Sequence, residues 1–164
     1  MIVEGRPVVI AGDDVDTDVM YPGAYLNIED PDEMKQYLFE GYDPSLREQL
    51  GDDAILVTGR NFGVGSSREH VVQALKAWGV RAVLGKSFAR IFRRNCVNLG
   101  LPIFECPGGA DAARSGSRLR IDTESGFSSG SQVSSWNARK ISSTGLPIAS
   151  SSRQPVSASA TGLM

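Results

Sequence analysis

Between Arg60 and His70 the chain reads Arg60-Asn61-Phe62-Gly63-Val64-Gly65-Ser66-Ser67-Arg68-Glu69-His70, so two glycines, two hydroxyls, a guanidinium and the only histidine share one short segment. Amides freed at a tight turn, with hydroxyls and an arginine beside them, suit one carboxylate or phosphate at the positive end of a helix dipole. The same residues also suit a plain capped helix, with Ser66 and Glu69 as a capping box and the glycines only allowing the turn. Spacing leaves both open. Gly63-Val64-Gly65 lacks the third glycine of a dinucleotide fingerprint, no lysine follows as in a phosphate loop, and Ser66 lacks the flanking glycines of a hydrolase elbow. A catalytic triad would need an orienting acid and a nucleophile at a bend, so the expectation for His70 is a structural role.

Three further groups could do chemistry. Asp13, Asp14, Asp16 and Asp18 crowd one loop but lack the glycine and distal glutamate of a calcium loop, so a solvated acidic turn is expected. Lys86, Arg90, Arg93 and Arg94 form a basic patch, either a solvated face or, beside the Ser66 loop, a hold for an acidic substrate or partner. Cys96 and Cys106 lie in apolar surroundings, where buried thiols are expected, and two cysteines are too few for an iron–sulfur cluster. No metal ligand set is expected in this chain.

These groups need elements to carry them. Residues 54–57 (Ala-Ile-Leu-Val) are an unbroken apolar run, as expected of a parallel strand buried on both faces. A helix follows from Ser66 to Trp78, with Val71, Val72, Leu75 and Trp78 apolar and Gly79 as the stop. Then come a strand over 80–84, a helix from Ser87 to Gly100 and a strand over 101–104, which make βαβαβ in about fifty residues. Upstream, residues 7–12 read as a strand. Asp30-Pro31-Asp32-Glu33 starts a helix that runs to about Glu40, and residues 44–50 read as a helical turn. Downstream, residues 118–122 read as an edge strand, with a turn at 124–126 into another. From about Ser128 the chain is Ser-rich and its last fifteen or so residues are expected to be poorly ordered. The expected organisation is one α/β domain over residues 1–127 and a partly disordered segment over 128–164.

With 164 residues and 17.6 kDa the chain can bury a core unaided. A net charge of −2 offers no general attraction for nucleic acid or an anionic membrane. No apolar run approaches the roughly 18 residues of a membrane span, and the first residues lack a secretory pattern, so a cytoplasmic protein is expected.

Three stretches in order resemble the aconitase family, and within it the isopropylmalate dehydratase small subunits that correspond to its swivel domain. Asp14-Val15-Asp16-Thr17-Asp18 with Pro22 and Tyr25-Leu26 looks like the entry loop. Residues 61–70 look like the signature, and Lys86-Ser87-Phe88-Ala89-Arg90-Ile91-Phe92 with Asn95 and Gly100-Leu101-Pro102 looks like the following helix. The resemblance covers about residues 5 to 125. It implies a swivel-type β/β/α fold with a small mixed sheet and packed helices. It also implies a hydro-lyase that interconverts 2- and 3-isopropylmalate in leucine biosynthesis by dehydration and rehydration.

By the same resemblance Ser66 is the base, while Ser67 and Arg68, with Asp18 and Asn27, bind substrate. The [4Fe-4S] cluster belongs to a large-subunit partner in a heterodimer or heterotetramer, without which this chain is inactive. Asn27 stands where isopropylmalate enzymes tend to carry arginine, so homocitrate-, citramalate- or dimethylmalate-type acids stay open as substrates. A non-catalytic carboxylate-binding module is the reading from another class. Residues 145–164 depart from the family's final apolar segment, as a shifted or replaced terminus would.

Overall fold

In the computed structural model, which describes residues 2–113 and 118–122 and the strand backbone of 126–129, 132–136 and 139–140, the apolar run at 54–57 lies inside a mixed sheet. β1 (Ile2–Val9), β2 (Ala54–Thr58), β3 (Ala82–Gly85) and β4 (Ile103–Glu105) are parallel neighbours. β5 (Leu119–Asp122), β6 (Gly126–Ser129) and β7 (Gln132–Trp136) extend the sheet antiparallel beyond β1, and β8 (Arg139–Lys140) closes the other side against β4. The spatial order is β7-β6-β5-β1-β2-β3-β4-β8. The helices are α1 (Thr17–Met20), α2 (Pro31–Met34), α3 (Glu69–Ala77), α4 (Arg90–Leu99) and α5 (Pro107–Ala113).

Every residue of β2 is buried, and the two-residue alternation of a strand sends them to two cores. Leu56 joins Val8, Val83 and Ile103 under Val72 and Leu75 of α3 and Phe92 and Cys96 of α4. Ile55 and Val57 join Leu84 and Phe104 under Ala110 and Ala113 of α5. Helices thus cover both faces, which explains an apolar run with no polar alternation. Cys96 and Cys106 are free buried thiols in different cores, as the apolar surroundings predict.

Several elements differ from expectation, each for a tertiary reason. β1 begins at Ile2 because residues 2–5 pair with β5 before residues 6–9 pair with β2. Pro7 is tolerated because Arg6 and Ile10 turn their amides to β2, which leaves position 7 facing away, past the end of the β5 ladder. The helix capped by Asp30 has the expected Pro31 start, yet it tightens into a 3₁₀ turn at Lys35–Tyr37 and stops short of Glu40. There the Phe39 and Gly41 amides bond the Met20 and Val19 carbonyls, and Leu38 and Phe39 enter the core. Residues 44–49 form the expected turn as a 3₁₀ helix. α5 forms at Pro107–Ala113 although Gly108 and Gly109 argue against a helix. β5 is no edge strand: β1 and β6 flank it. The expected disorder of the last residues lies outside the described residues, as do 145–164. No helix among the described residues is long and apolar enough to cross a membrane.

Candidate active site

β1, β2 and β3 lie side by side and parallel, so the loops leaving their carboxyl ends meet at one edge of the sheet, the usual place for a ligand in such a fold. Those loops are residues 10–16, 59–68 and 86–89, and hydrogen bonds zip them together. The Thr17 amide donates to the Val64 carbonyl at 2.8 Å, and the Gly63 amide to the Val15 carbonyl at 3.0 Å. The Asn61 amide donates to Ser87 Oγ at 2.8 Å, and the Ala89 amide to the Phe62 carbonyl at 3.0 Å. Both signature glycines are required by this packing. Gly63 and Gly65 hold φ of +85° and +99°, and a Cβ at either would overlap Phe92 or the Asp16 carboxylate.

The acidic loop is solvated as expected, with Asp13, Asp14 and Asp18 exposed, but each carboxylate also has a defined partner. Asp13 Oδ1 accepts from the Arg60 amide at 2.7 Å, and Asp14 Oδ1 from Asn61 Nδ2 at 2.8 Å. Asp16 caps α1 by accepting from the Asp18 amide at 2.7 Å. Asp18 Oδ1 lies 3.1 Å from Arg68 Nε, as an ion pair without hydrogen-bond alignment. Arg68 Nη1 also donates to the Tyr21 carbonyl at 2.6 Å, and a Cβ at Gly23 would sit 3.7 Å from Nη2. The Arg68 side chain is only 14% exposed.

The capping-box alternative for residues 66–69 fails. Arg68 occupies the cap position of α3 with no side-chain cap bond, and the helix starts at Glu69 rather than Ser66. A helical Ser66 carbonyl would accept from the His70 amide; here it accepts from Thr17 Oγ1 at 2.8 Å and the Arg68 amide at 2.9 Å. Ser66 and Ser67 are therefore exposed loop residues just ahead of the helix. Asn27 is exposed in the turn after Gly23–Tyr25, and no hydrogen bond joins it to the other four expected site residues. The basic patch divides. Lys86 pairs with Asp111 at 2.8 Å and Arg93 with Glu105 at 3.1 Å, whereas Arg90 and Arg94 are exposed without an ion pair among the described residues.

A model of the aconitase C-terminal domain matches residues 10–106, the stretch that holds all three loops. The chain belongs to the aconitase C-terminal domain family. It is 46% identical over 126 residues to 3-isopropylmalate dehydratase small subunit 1 of Methanopyrus kandleri, covering 77% of this chain and 74% of that one. It is 49% identical over 115 residues to the small subunit of Thermodesulfovibrio yellowstonii, covering 70% and 68%. The crystal structure of 3-isopropylmalate dehydratase (leuD) from Methanocaldococcus jannaschii superposes with a TM-score of 0.77 at 37% identity, covering 85% of this chain and 83% of that one.

Within this aconitase C-terminal domain, two contributors escaped the sequence reading. Thr17 and the Tyr21 carbonyl, which fix Ser66 and Arg68, act from 47 or more residues away and leave no local pattern. No group of three His, Cys, Asp or Glu residues that could hold a metal occurs among the described residues. Burial also pushes the Cys96 thiol well above its ordinary range, so it is a poor thiolate ligand. The residues present do not fit an iron–sulfur cluster of this chain's own.

Proposed function

We propose that this chain is the small subunit of a 3-isopropylmalate dehydratase, a hydro-lyase of leucine biosynthesis that works in the cytoplasm together with a large subunit. The observation that carries this is the convergence of Ser66, Ser67, Arg68 and Asp18 at the sheet's carboxyl edge, in a chain 46% identical to subunits of that name. The cluster of such an enzyme falls to the large subunit.

This chain's own part is to hold the acid and move a proton. Arg68 presents a guanidinium whose Nε and Nη1 are already fixed, so its remaining edge is aimed before substrate arrives. A substrate carboxylate binds there with the Ser67 hydroxyl, an arrangement a flexible lysine would not reproduce. Ser66 Oγ, as the alkoxide, takes the proton from the carbon beside a carboxylate as hydroxide leaves the neighbouring carbon; that proton and hydroxide together are the water lost, which gives the unsaturated acid, and the reverse addition places hydroxyl and proton the other way round. A serine hydroxyl is a weak base, so its conjugate alkoxide needs nearby positive charge. Arg68 supplies it, and closure by the large subunit excludes water around it. In this chain alone Ser66 stands exposed, its hydroxyl bonded to no described residue, which supports activity only in the assembly.

The test is an anaerobic assay of this chain mixed with a cluster-bearing large subunit, following unsaturated-acid formation from 3-isopropylmalate, with each chain alone as control. Turnover only in the mixture is the expected result. Turnover of a different 2-hydroxy acid instead would keep the hydro-lyase and replace the substrate; none with any such acid would leave a carboxylate-binding module.

A further inference from the structure

The proposed reaction leaves His70 without a task, yet the structure gives this side chain a defined place. Its Nε2 lies 3.2 Å from the Leu26 carbonyl oxygen. A carbonyl oxygen only accepts, so Nε2 is the donor in this contact. Nδ1 is buried and has no partner, so the ring's one directed polar contact is with the turn that carries Asn27. The ring also stacks on Tyr21, with centroids 5.1 Å apart and planes 19° from parallel. Tyr21 is itself held by its hydroxyl, which donates to the Tyr25 carbonyl at 2.8 Å, and by its carbonyl on Arg68 Nη1.

The beginning of α3 therefore grips the 21–27 segment twice, through Arg68 at Tyr21 and through His70 at Leu26. At the tip the segment's own bonds are local turn bonds: the Leu26 amide reaches the Gly23 carbonyl at 3.3 Å and the Ile28 amide the Tyr25 carbonyl at 3.1 Å. Leu26 is 40% exposed, so packing does little to fix it. We propose that His70 is a positioning residue that fixes the Leu26–Asn27 turn against the Ser66–Arg68 loop and thereby sets which 2-hydroxy acid is accepted. This rests on the hydro-lyase function proposed above. A turn held from the same helix start as Arg68 keeps one spacing between the carboxylate-binding guanidinium and Asn27, and an ångström of drift at such a group is enough to weaken binding markedly.

His70→Ala and His70→Gln in the full chain test this, because a glutamine amide can donate to the Leu26 carbonyl without the imidazole. In the chain alone, hydrogen–deuterium exchange at the Leu26 and Ile28 amides should quicken about tenfold in the alanine variant and return towards wild type in the glutamine variant. In the assembled enzyme the alanine variant should raise KM for 3-isopropylmalate about tenfold with kcat within about threefold, and should narrow the preference over citramalate; glutamine should restore both. Unchanged exchange in the alanine variant overturns the proposal, as does a loss confined to kcat or a glutamine variant no better than alanine. If the wild-type assembly turns over no 2-hydroxy acid, the hydro-lyase function has failed, and the exchange comparison alone decides whether His70 fixes the turn.

Discussion

β2 buries Ala54 through Thr58 completely, with apolar neighbours above and below, whereas Gly65, Ser66 and Ser67, a few residues further on, are exposed and hang from the rest of the chain by polar contacts. Each large β2 side chain contributes about 1.5–3 kcal/mol by leaving water. A hydrogen bond such as Thr17 Oγ1 to the Ser66 carbonyl nets only about 0.5–1.5 kcal/mol. The sheet tolerates any apolar residue of the right volume, because burial is not directional. The loop tolerates very little, because its bonds and its two left-handed glycines fix where Ser66 and Arg68 stand. Stability and function are thus separable here, and substitutions on either side of the Thr58–Gly59 junction should separate them.

The largest effect is expected at Ser66. Ser66→Ala should lower kcat of the assembled enzyme by about 10²–10⁴-fold, the usual worth of a proton-transfer group. The melting midpoint of the chain should not move, since the residue is exposed and its carbonyl bonds survive. Leu56→Ala is the converse. It should cost about 2–5 kcal/mol in denaturant unfolding, while KM and kcat of the protein that remains folded stay at wild-type values. A Ser66→Ala enzyme that keeps its turnover would remove serine as the base.

Asp18→Asn sharpens the comparison inside the loop layer. The Asp18 end of the pair is 48% exposed, where an ion pair contributes about 0–1 kcal/mol, so little stability should be lost. What the pair supplies is aim: without it Arg68 keeps only the Tyr21 carbonyl as a fixed partner. KM for the substrate acid should rise about tenfold, with kcat less affected, in steady-state kinetics of the assembled enzyme. If KM stays unchanged, Asp18 is a surface counter-ion and no part of the binding site.

The two regions were also unequally legible in the sequence. Residues 54–57, 80–84 and 101–104 announced a parallel sheet because burial on both faces removes polar residues, a signal written in consecutive positions. The glycine at 100 announced the end of α4, and it sits there at φ +75° as the left-handed cap. The site showed its residue types but not its geometry. Ser66 and Glu69 spelled a capping box, and a helix beginning at Ser66 was the local preference; Thr17, distant in sequence, claims the carbonyl that helix would need. The four aspartates read as a solvated turn, and three of them are exposed, but nothing local shows that Arg60, Asn61 and Arg68 meet them. β5 reads as an edge from its clean alternation, but the strand expected after the turn at 124–126 pairs along its outer side as β6, and β1 takes the other side.

The smallest expected effect tests the buried side of the comparison through pH. Burial raises Cys96 above its ordinary value of 9.0, and burial also raises Cys106, partly offset there by the Gly109 backbone amide. A thiol whose folded pKa lies above its unfolded one binds its proton more tightly in the native state. The stability it contributes is complete below about pH 9 and is lost as pH rises, when the unfolded chain ionises first. Each such thiol adds at most about 1.4 kcal/mol per pH unit to the decline. Urea unfolding between pH 8 and about 10.5 should therefore show stability falling with pH, and Cys96→Ala should flatten that slope even though its cavity lowers stability at every pH. Ser66→Ala should leave the slope untouched, because the exposed loop contributes no group that burial has shifted. An unchanged slope in Cys96→Ala would mean that the thiol meets solvent, and that the core beneath α4 is looser than its packing against Phe92 and Leu101 implies.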